Sequence, residues 1–193
     1  MGWTFFQDNP AETRESIIRR EFQSTATTDN PFSWGFDSMA VRGSTVYAIM
    51  YREHAHTMTR DYFGTVILTQ RKRGEFGYKD MSESCGPYFY DAPVSMIKRL
   101  DQIAPVDPAS NAAGWRARCR AAHADKKRRA KIQWAPGMRV QFTPTGRVFE
   151  ILADAGPRRG FFVRVADRSD LQQYRATARS FAHAVIVAER PAA

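Results

Sequence analysis

Most of the side chains that could do chemistry lie in one short stretch, residues 76 to 93, called the central stretch below. It reads FGYKDMSESCGPYFYDAP, with one cysteine, three carboxylates and five aromatic side chains. Cys85 precedes Gly86 and Pro87, a turn where a thiolate would be exposed and nucleophilic if a histidine approached it. Because a free cysteine is more often a small buried apolar residue, a structural role is the alternative for Cys85.

The carboxylates of the central stretch permit two further kinds of chemistry. Asp80, Glu83 and Asp91 could hold a divalent cation through their oxygens, or serve as an acid and base pair. The structural alternative, which we favour, is that they cap turns and the following helix, or pair with arginines of a basic helix further along the chain.

The aromatic residues of the central stretch indicate an ordered loop. Linkers of this length are usually poor in aromatics, and the two glycines would let the backbone fold back over a surface. Tyr78, Tyr88 and Tyr90 are therefore predicted to line a pocket or to anchor a partner.

A pair of histidines forms a second candidate site. His54 and His56 lie on one face if a strand extends that far, and Glu53 and Asp61 are near enough in sequence to complete a metal site. An exposed, polar strand end explains the same residues. The chain has no phosphate-cradling glycine loop, dinucleotide fingerprint, GxSxG elbow or HExxH helix. We therefore predict no metal and no cofactor, and leave open whether the protein is an enzyme.

Positive charge is concentrated in the second half of the chain. Residues 1–110 carry 12 Lys and Arg against 14 Asp and Glu, and residues 111–193 carry 17 against 6. Such asymmetry predicts a polyanionic partner, although charge runs are often only solvated faces. The densest part is a predicted helix from 111 to about 131. Its candidate phosphate contacts are Arg116, Arg120, Lys126, Lys127, Arg128, Arg129 and Lys131.

Composition predicts a folded chain without a membrane partner. Its 193 residues are 43% hydrophobic, enough to bury a core. No run approaches the roughly 18 uncharged apolar residues of a membrane-spanning helix, and the start lacks the pattern of a signal peptide. The two cysteines are too far apart in sequence to indicate a disulfide framework or a CxxC zinc site. We expect a cytoplasmic protein.

Periodicity predicts an α+β fold in three parts. Residues 1–107 should form an antiparallel sheet with a helix on one face, residues 108–135 a basic connecting helix, and residues 136–193 a small SH3-like all-β barrel of five short strands. A short helix capped by Asp91 or Ala92 should end the central stretch.

The first part is predicted in more detail. Its strands span 3–6, 34–42, 45–52 and 62–70, and its helix spans 10–22 with Asn9 as the N-cap. Gly43 and Ser44 predict a tight hairpin turn. The strand 45–52 is apolar on both faces and should therefore be central in the sheet.

Several segments together resemble a known family. These are the MGWTF start, the GYKDMSES and GPYFYD motifs of the central stretch, the Trp115-Arg116-x-Arg118-Cys119-Arg120 segment and Pro136-Gly137. They are similar to small proteins of unknown function found in bacteria, their mobile elements and phages, and the resemblance covers most of the chain. It implies no catalytic residue. It does imply a cytoplasmic, phage- or plasmid-related setting.

Three functional hypotheses follow. We favour a non-enzymatic accessory protein that binds DNA, RNA or a nucleoprotein through the basic helix and the arginines of the barrel. The first alternative is an enzyme that acts on a small or nucleotide-like substrate at the central stretch. The second is an inhibitor that binds a host protein complex through exposed tyrosines. Sequence-specific readout is not expected, because no helix-turn-helix or zinc-finger motif is present.

Overall fold

The structure, a computed structural model, describes residues 2–27, 29–143, 146–155, 160–166, 172–177, 181 and 184–188. It divides into two compact units, Met1–Ala124 (unit 1) and Asp125–Ala193 (unit 2). Each unit contains one five-stranded sheet, and every strand pair is antiparallel. The predicted α+β class is confirmed. The division falls inside the basic helix, so most of that helix belongs to unit 1.

Unit 1 holds five strands, two complete helices and most of a third. Its elements are β1 (Thr4–Gln7), α1 (Arg14–Phe22), β2 (Phe32–Arg42), β3 (Thr45–His54), β4 (Arg60–Lys72), β5 (Glu75–Ser82), a 3₁₀ turn (Glu83–Cys85), α2 (Val94–Ile103) and α3 (Asn111–Arg129), the last of which continues into unit 2. The strand order is β1-β5-β4-β3-β2. Arg42 pairs with Thr45, which confirms the predicted hairpin turn.

Helices cover both faces of this sheet, because the interior strands are apolar on both sides. On one face, Ile17 and Ile18 of α1 pack in a cluster with Val46 and Ile67 of the sheet. On the opposite face, the cluster joins the sheet to side chains of α2 and α3: Tyr47, Ile49, Val66, Ile97, Leu100, Trp115 and Cys119. The predictions that β3 lies inside the sheet and that a helix covers one face are confirmed. The other face is covered as well, by α2 and α3.

The start of α1 also differs from the prediction. Thr13, not Asn9, is the N-cap, and its Oγ1 accepts the backbone N–H of Ser16 at 3.1 Å. Asn9 instead begins a turn, in which its carbonyl accepts the N–H of Glu12 at 3.0 Å. The side chain of Asn9 caps that turn by accepting the N–H of Ala11 at 3.2 Å.

The first part of the central stretch is a strand and not a loop. β5 pairs with β4 along Thr65–Lys72, and its first four residues also pair with β1. Gly77 therefore has two partner strands, whereas Lys79 and Asp80 pair with β4 alone. The types of these three residues favour a turn when the sequence is considered alone. Only the segment from the 3₁₀ turn to α2 lacks strand structure.

The outer strand β2 carries a bulge. Its register with β3 shifts between Phe36 and Ser38, so Asp37 is an extra residue without a partner on β3. The carboxylate of Asp37 pairs with Arg99 of α2 at 3.1 Å. On the outer side of β2, Trp34 forms an isolated bridge with Ser24.

Unit 2 contains five short strands after the end of α3. They are β6 (Arg139–Gln141), β7 (Val148–Asp154), β8 (Phe161–Val165), β9 (Tyr174–Ala176) and β10 (Val185–Ala188), in the order β10-β6-β7-β8-β9. Each of the five predicted strands is found. In the described part of unit 2, β9 and β10 do not pair, so the sheet is open there and closure into a barrel is not confirmed.

The core of unit 2 lies on one side of this sheet. Val140, Ile151 and Val163 are buried there, and Trp134, which follows α3, packs against the same cluster. No helix in the described ranges has both the length and the apolar composition needed to span a bilayer.

Candidate functional site

A buried ion pair joins the 3₁₀ turn to α3. Arg116 donates from Nε and Nη2 to the two carboxylate oxygens of Glu83, each at 2.7 Å. Arg116 is 1% exposed and Glu83 is 2% exposed. A two-pronged arginine–carboxylate contact is strong, but both charges have lost their hydration, so each depends on the other.

Three further contacts complete this ion network. The N–H of Gly64 donates to Oε1 of Glu83 at 2.9 Å, and Nη1 of Arg116 donates to the Ala104 carbonyl at 2.9 Å and to Asp101 at 3.3 Å. Burial lowers the pKa of Arg116, but the hydrogen bonds and charge of Glu83 outweigh it, and the net pKa is raised. The network therefore ties β4, the 3₁₀ turn and the end of α2 to α3.

The residue on β4 beneath the carboxylate is a glycine, and a side chain there would be crowded. A Cβ on Gly64 would lie 3.2 Å from the carboxylate carbon of Glu83 and 3.0 Å from Cδ1 of Leu100. Both distances are tighter than ordinary packing, so a methyl group here would require Glu83 or Leu100 to shift by a few tenths of an ångström.

These contacts correct two predictions from the sequence. Arg116 is not a phosphate contact, because its guanidinium is buried and all three of its nitrogens bond within the chain. Glu83 is not free to act as an acid, base or cation ligand, because both of its oxygens accept hydrogen bonds from Arg116. The alternative that a carboxylate of the central stretch pairs with the basic helix is the one found.

The other candidates of the central stretch lie on different elements. Asp80 is half-buried on β5 opposite Ile67, Cys85 ends the 3₁₀ turn with an exposed side chain, and Tyr88 is 84% exposed beyond it. The backbone N–H of Asp91 donates to the hydroxyl of Tyr47 at 3.1 Å. Asp91 does not cap α2, so that prediction is wrong. Glu83 is therefore not available as a catalytic residue for the enzyme hypothesis, and the other candidate side chains of the central stretch do not lie together in one site.

The other two tyrosines that were predicted to line a pocket or anchor a partner, Tyr78 and Tyr90, contact side chains of unit 1. Tyr78 packs against Phe22 with ring centroids 5.1 Å apart, so it belongs to the core beneath α1 and not to an interface. Tyr90 is half-buried, and the guanidinium of Arg118 lies 5.4 Å from its ring centroid. This cation–π contact uses one more charge of α3 inside unit 1.

The two thiols are expected to differ sharply in reactivity. Burial raises the pKa of Cys119 to about 11, whereas Cys85 is exposed. Because the thiolate is the reactive form, a disulfide reagent at about pH 8 should modify one thiol of the native protein quickly and the second only in denaturant. Absorbance of the released thiol measures this, and Cys85→Ser should remove the fast phase. Rapid modification of both thiols in native protein would contradict the burial of Cys119.

The histidine pair forms surface contacts and not a metal site. Nδ1 of His54 accepts the backbone N–H of His56 at 3.3 Å. Glu53 and Asp61 each pair with an arginine across the β3–β4 ladder. Within the residues that the structure describes, no group of three or more His, Cys, Asp and Glu side chains is arranged to hold a metal ion.

Carboxylates of the same chain also match the other arginines predicted to contact phosphate. Arg120 binds Asp101 at 2.7 Å, and both side chains are partly exposed. Arg128 and Arg129 share Asp125, at 2.6 and 2.5 Å, and these contacts lower the pKa of that carboxyl group. A phosphate would have to compete with Asp101 for Arg120, whereas the turn around Asp125 keeps an excess of positive charge.

In unit 2, three exposed cations have no charged partner among the described residues. Lys127 lies on the last turn of α3, Lys131 follows that helix, and Arg147 precedes β7. Unit 1 also has such cations, among them Arg42, Lys72, Arg73 and Lys98. Because unit 1 carries nearly as many acidic as basic residues, the excess of positive charge belongs to unit 2.

Each unit has a groove. The groove in unit 1 has a volume of about 470 Å³, and its charged lining residues, Asp101, Arg116 and Arg120, are those already paired with one another. The groove in unit 2, called the aromatic groove below, has a volume of about 300 Å³. It is lined by Phe142, Arg147, Phe149, Val163, Val165, Tyr174, Arg175 and Ala176.

Sequence reasoning did not find the aromatic groove. Its residues come from three strands and one turn, and only the pairing of Phe149 with Val165 and of Val163 with Tyr174 brings them together. The available signal was the arginine between two phenylalanines, Phe142-x₄-Arg147-x-Phe149, across a predicted hairpin.

No family model, curated protein or solved structure matches the chain. The resemblance to small bacterial, mobile-element and phage proteins therefore stays a prediction.

Proposed function

We propose that the protein binds nucleic acid through unit 2 and the C-terminal end of α3. Residues 125–193 carry 14 Lys and Arg against 6 Asp and Glu, a net charge of +8, whereas residues 1–124 carry 15 against 14. A surface of this kind attracts phosphates, and each phosphate that a cation neutralises releases counterions. The observation that carries the proposal is that the excess of positive charge belongs to unit 2, where Lys127, Lys131 and Arg147 are exposed and have no charged partner among the described residues.

Internal pairing narrows the interface. Arg116 is excluded by burial, and Arg118 and Arg120 are held by Tyr90 and Asp101. The phosphate contacts that remain are the cations at the end of α3 and the arginines of the small sheet. The bound strand would therefore lie against unit 2.

We also propose that unit 2 has an SH3-like fold. In the order β10-β6-β7-β8-β9, the last strand of unit 2, β10, lies beside its first strand, β6. An SH3-like barrel has the same arrangement, and it closes when the two outer strands approach each other. Small barrels serve many functions, so this fold alone assigns none.

Removing the unpaired cations should weaken binding in a salt-dependent way. In Lys127→Gln/Lys131→Gln/Arg147→Gln, we expect affinity for a labelled oligonucleotide to fall about tenfold or more at low salt. The slope of log K against log salt should become shallower by about 2, since each lost phosphate contact removes about 0.7 on a single strand. Fluorescence anisotropy over a salt series measures both quantities.

A matched variant controls for net charge. Lys72→Gln/Arg73→Gln/Lys98→Gln removes three exposed cations from unit 1 and changes the total charge equally. It should leave affinity within about twofold of wild type, apart from long-range screening effects. Equal losses in both variants, or no measurable binding by wild-type protein at low salt, would refute an interface on unit 2.

A further inference from the structure

We infer that the aromatic groove of unit 2 takes unstacked bases, so that the protein prefers single-stranded DNA or RNA to duplex. This inference rests on the proposed function and names its substrate class. Phosphate contacts alone bind both forms of nucleic acid, whereas a groove that stacks bases distinguishes them.

Three aromatic rings line the groove and contact one another at inclined or edge-to-face angles. The centroids of Phe142 and Phe149 are 5.3 Å apart at an interplanar angle of 47°, and those of Phe149 and Tyr174 are 6.3 Å apart at 86°. Tyr174 is 37% exposed, and its hydroxyl donates to Gln172 at 3.0 Å, which holds the ring at the rim.

The floor of the groove is the exposed end of the unit 2 core. Val163 is buried beneath it, and Val165, two residues further along β8, lies on the same face as the rings. A volume of about 300 Å³ is at the small end of ligand pockets, so it suits planar rings better than a folded partner.

The charge of the lining selects an anionic ligand. Arg147, which is exposed and has no charged partner in the described ranges, lines the groove together with Arg175, which already has a partner within the chain, and none of the described lining residues is acidic. The nearby carboxylate of Glu150 accepts two hydrogen bonds from Arg164. Aromatic rings beside arginines fit a polymer with flat, uncharged bases and a negative backbone. A cationic ligand such as a methylated lysine would be repelled.

Duplex nucleic acid cannot use such a groove without disruption. Its bases are already stacked and paired, and drawing one out costs energy. A single strand offers its bases freely, and stacking on an aromatic side chain is tolerant of sequence. The groove therefore predicts a preference for strand form and no strong preference for sequence.

The test compares single-stranded and duplex binding of ring variants. Tyr174→Ala and Phe149→Leu each remove an aromatic face. Phe149→Leu keeps an apolar side chain at its position, so it still tests the inference if Tyr174→Ala loses stability. With a mixed-sequence strand longer than about 16 nucleotides, we expect each to weaken single-strand affinity on the order of tenfold and to leave duplex affinity unchanged. Tyr174→Phe should restore the single-strand affinity.

The matched control is Phe162→Leu. Phe162 is 40% exposed on β8 but precedes Val163, so it lies on the opposite face of the sheet and does not line the groove. It should bind like wild type. If Tyr174→Ala and Phe149→Leu also bind single strands like wild type while the triple glutamine variant is weakened, the groove inference fails and the proposed function stands. If a proline-rich peptide binds wild-type protein and both ring variants lose that binding while still binding single strands, the groove is a peptide site and the inference is overturned.

Discussion

Arg116→Ala is expected to destabilise unit 1 by about 3–5 kcal/mol, because it leaves the carboxylate of Glu83 buried without its partner. The remaining hydrogen bond from Gly64 cannot replace two charge-assisted contacts. Urea unfolding followed by tryptophan fluorescence measures the loss. In a Trp134→Phe background, all remaining tryptophans lie in unit 1.

Two further variants separate the ion pair from a general loss of charge. Arg120→Ala removes a partly exposed arginine from the same helix and should cost less than about 1 kcal/mol. Replacing both partners, as Glu83→Met/Arg116→Met, should cost less than Arg116→Ala, because no buried charge is left unmatched. If Arg116→Ala costs no more than Arg120→Ala, the buried pair does not hold unit 1 together.

Gly160→Ala is expected to destabilise unit 2 by about 2–5 kcal/mol, through backbone strain and a clash between strands. The φ angle of Gly160 is +82°, and a Cβ there would overlap the carbonyl oxygen of Ala176 and lie 2.8 Å from Cα of Thr177. These are backbone atoms of β9 and its end, so β8 and β9 would have to separate. Fluorescence of Trp134, the tryptophan of unit 2, reports the change.

Gly74→Ala is the matched control for this prediction. Gly74 has a φ angle of +80°, but nothing lies within 4 Å of its Cβ position. It should therefore show the backbone strain alone, about 1–2 kcal/mol, on unit 1. Because the aromatic groove draws on β8 and β9, Gly160→Ala should also lose single-strand binding, whereas Gly74→Ala should keep it. Equal destabilisation by the two substitutions would show that the contact with Ala176 contributes nothing.

Local patterns in the sequence predicted the elements that are set locally. The two-residue turn at Gly43 and Ser44 fixes the β2–β3 hairpin, and alternation of apolar residues gave the five strands of unit 2. α3 was predicted from Asn111 and ends within two residues of its expected end. In each case neighbouring residues carry the information.

The features that the sequence did not reveal depend on distant partners. The first half of β5 pairs with β1 from the start of the chain, as well as with β4, which precedes it across a two-residue turn. Arg116 meets Glu83 across 33 residues. One local signal was present: Arg116 shares a helix face with Ala112 and Cys119, at i−4 and i+3, and an arginine on a buried face needs a partner.

The same limit applies to the candidate site. The excess of positive charge in the second half of the chain was legible by counting, but which cations are matched internally was not. Asp125 pairs with two arginines of its own helix, and Asp101 reaches α3 from α2. Counting charges along a sequence gives the total available to a partner, and only the folded chain gives the share that is accessible.

The bulge in β2 also has a consequence for solubility. A long outer strand with regular register would present a continuous row of backbone donors and acceptors, on which a strand of another molecule could add and start a fibril. In β2 the extra residue Asp37 breaks that row near its middle, and the bridge from Ser24 to Trp34 occupies part of what is left. An 11-residue outer strand is thereby protected against aggregation by a single inserted aspartate.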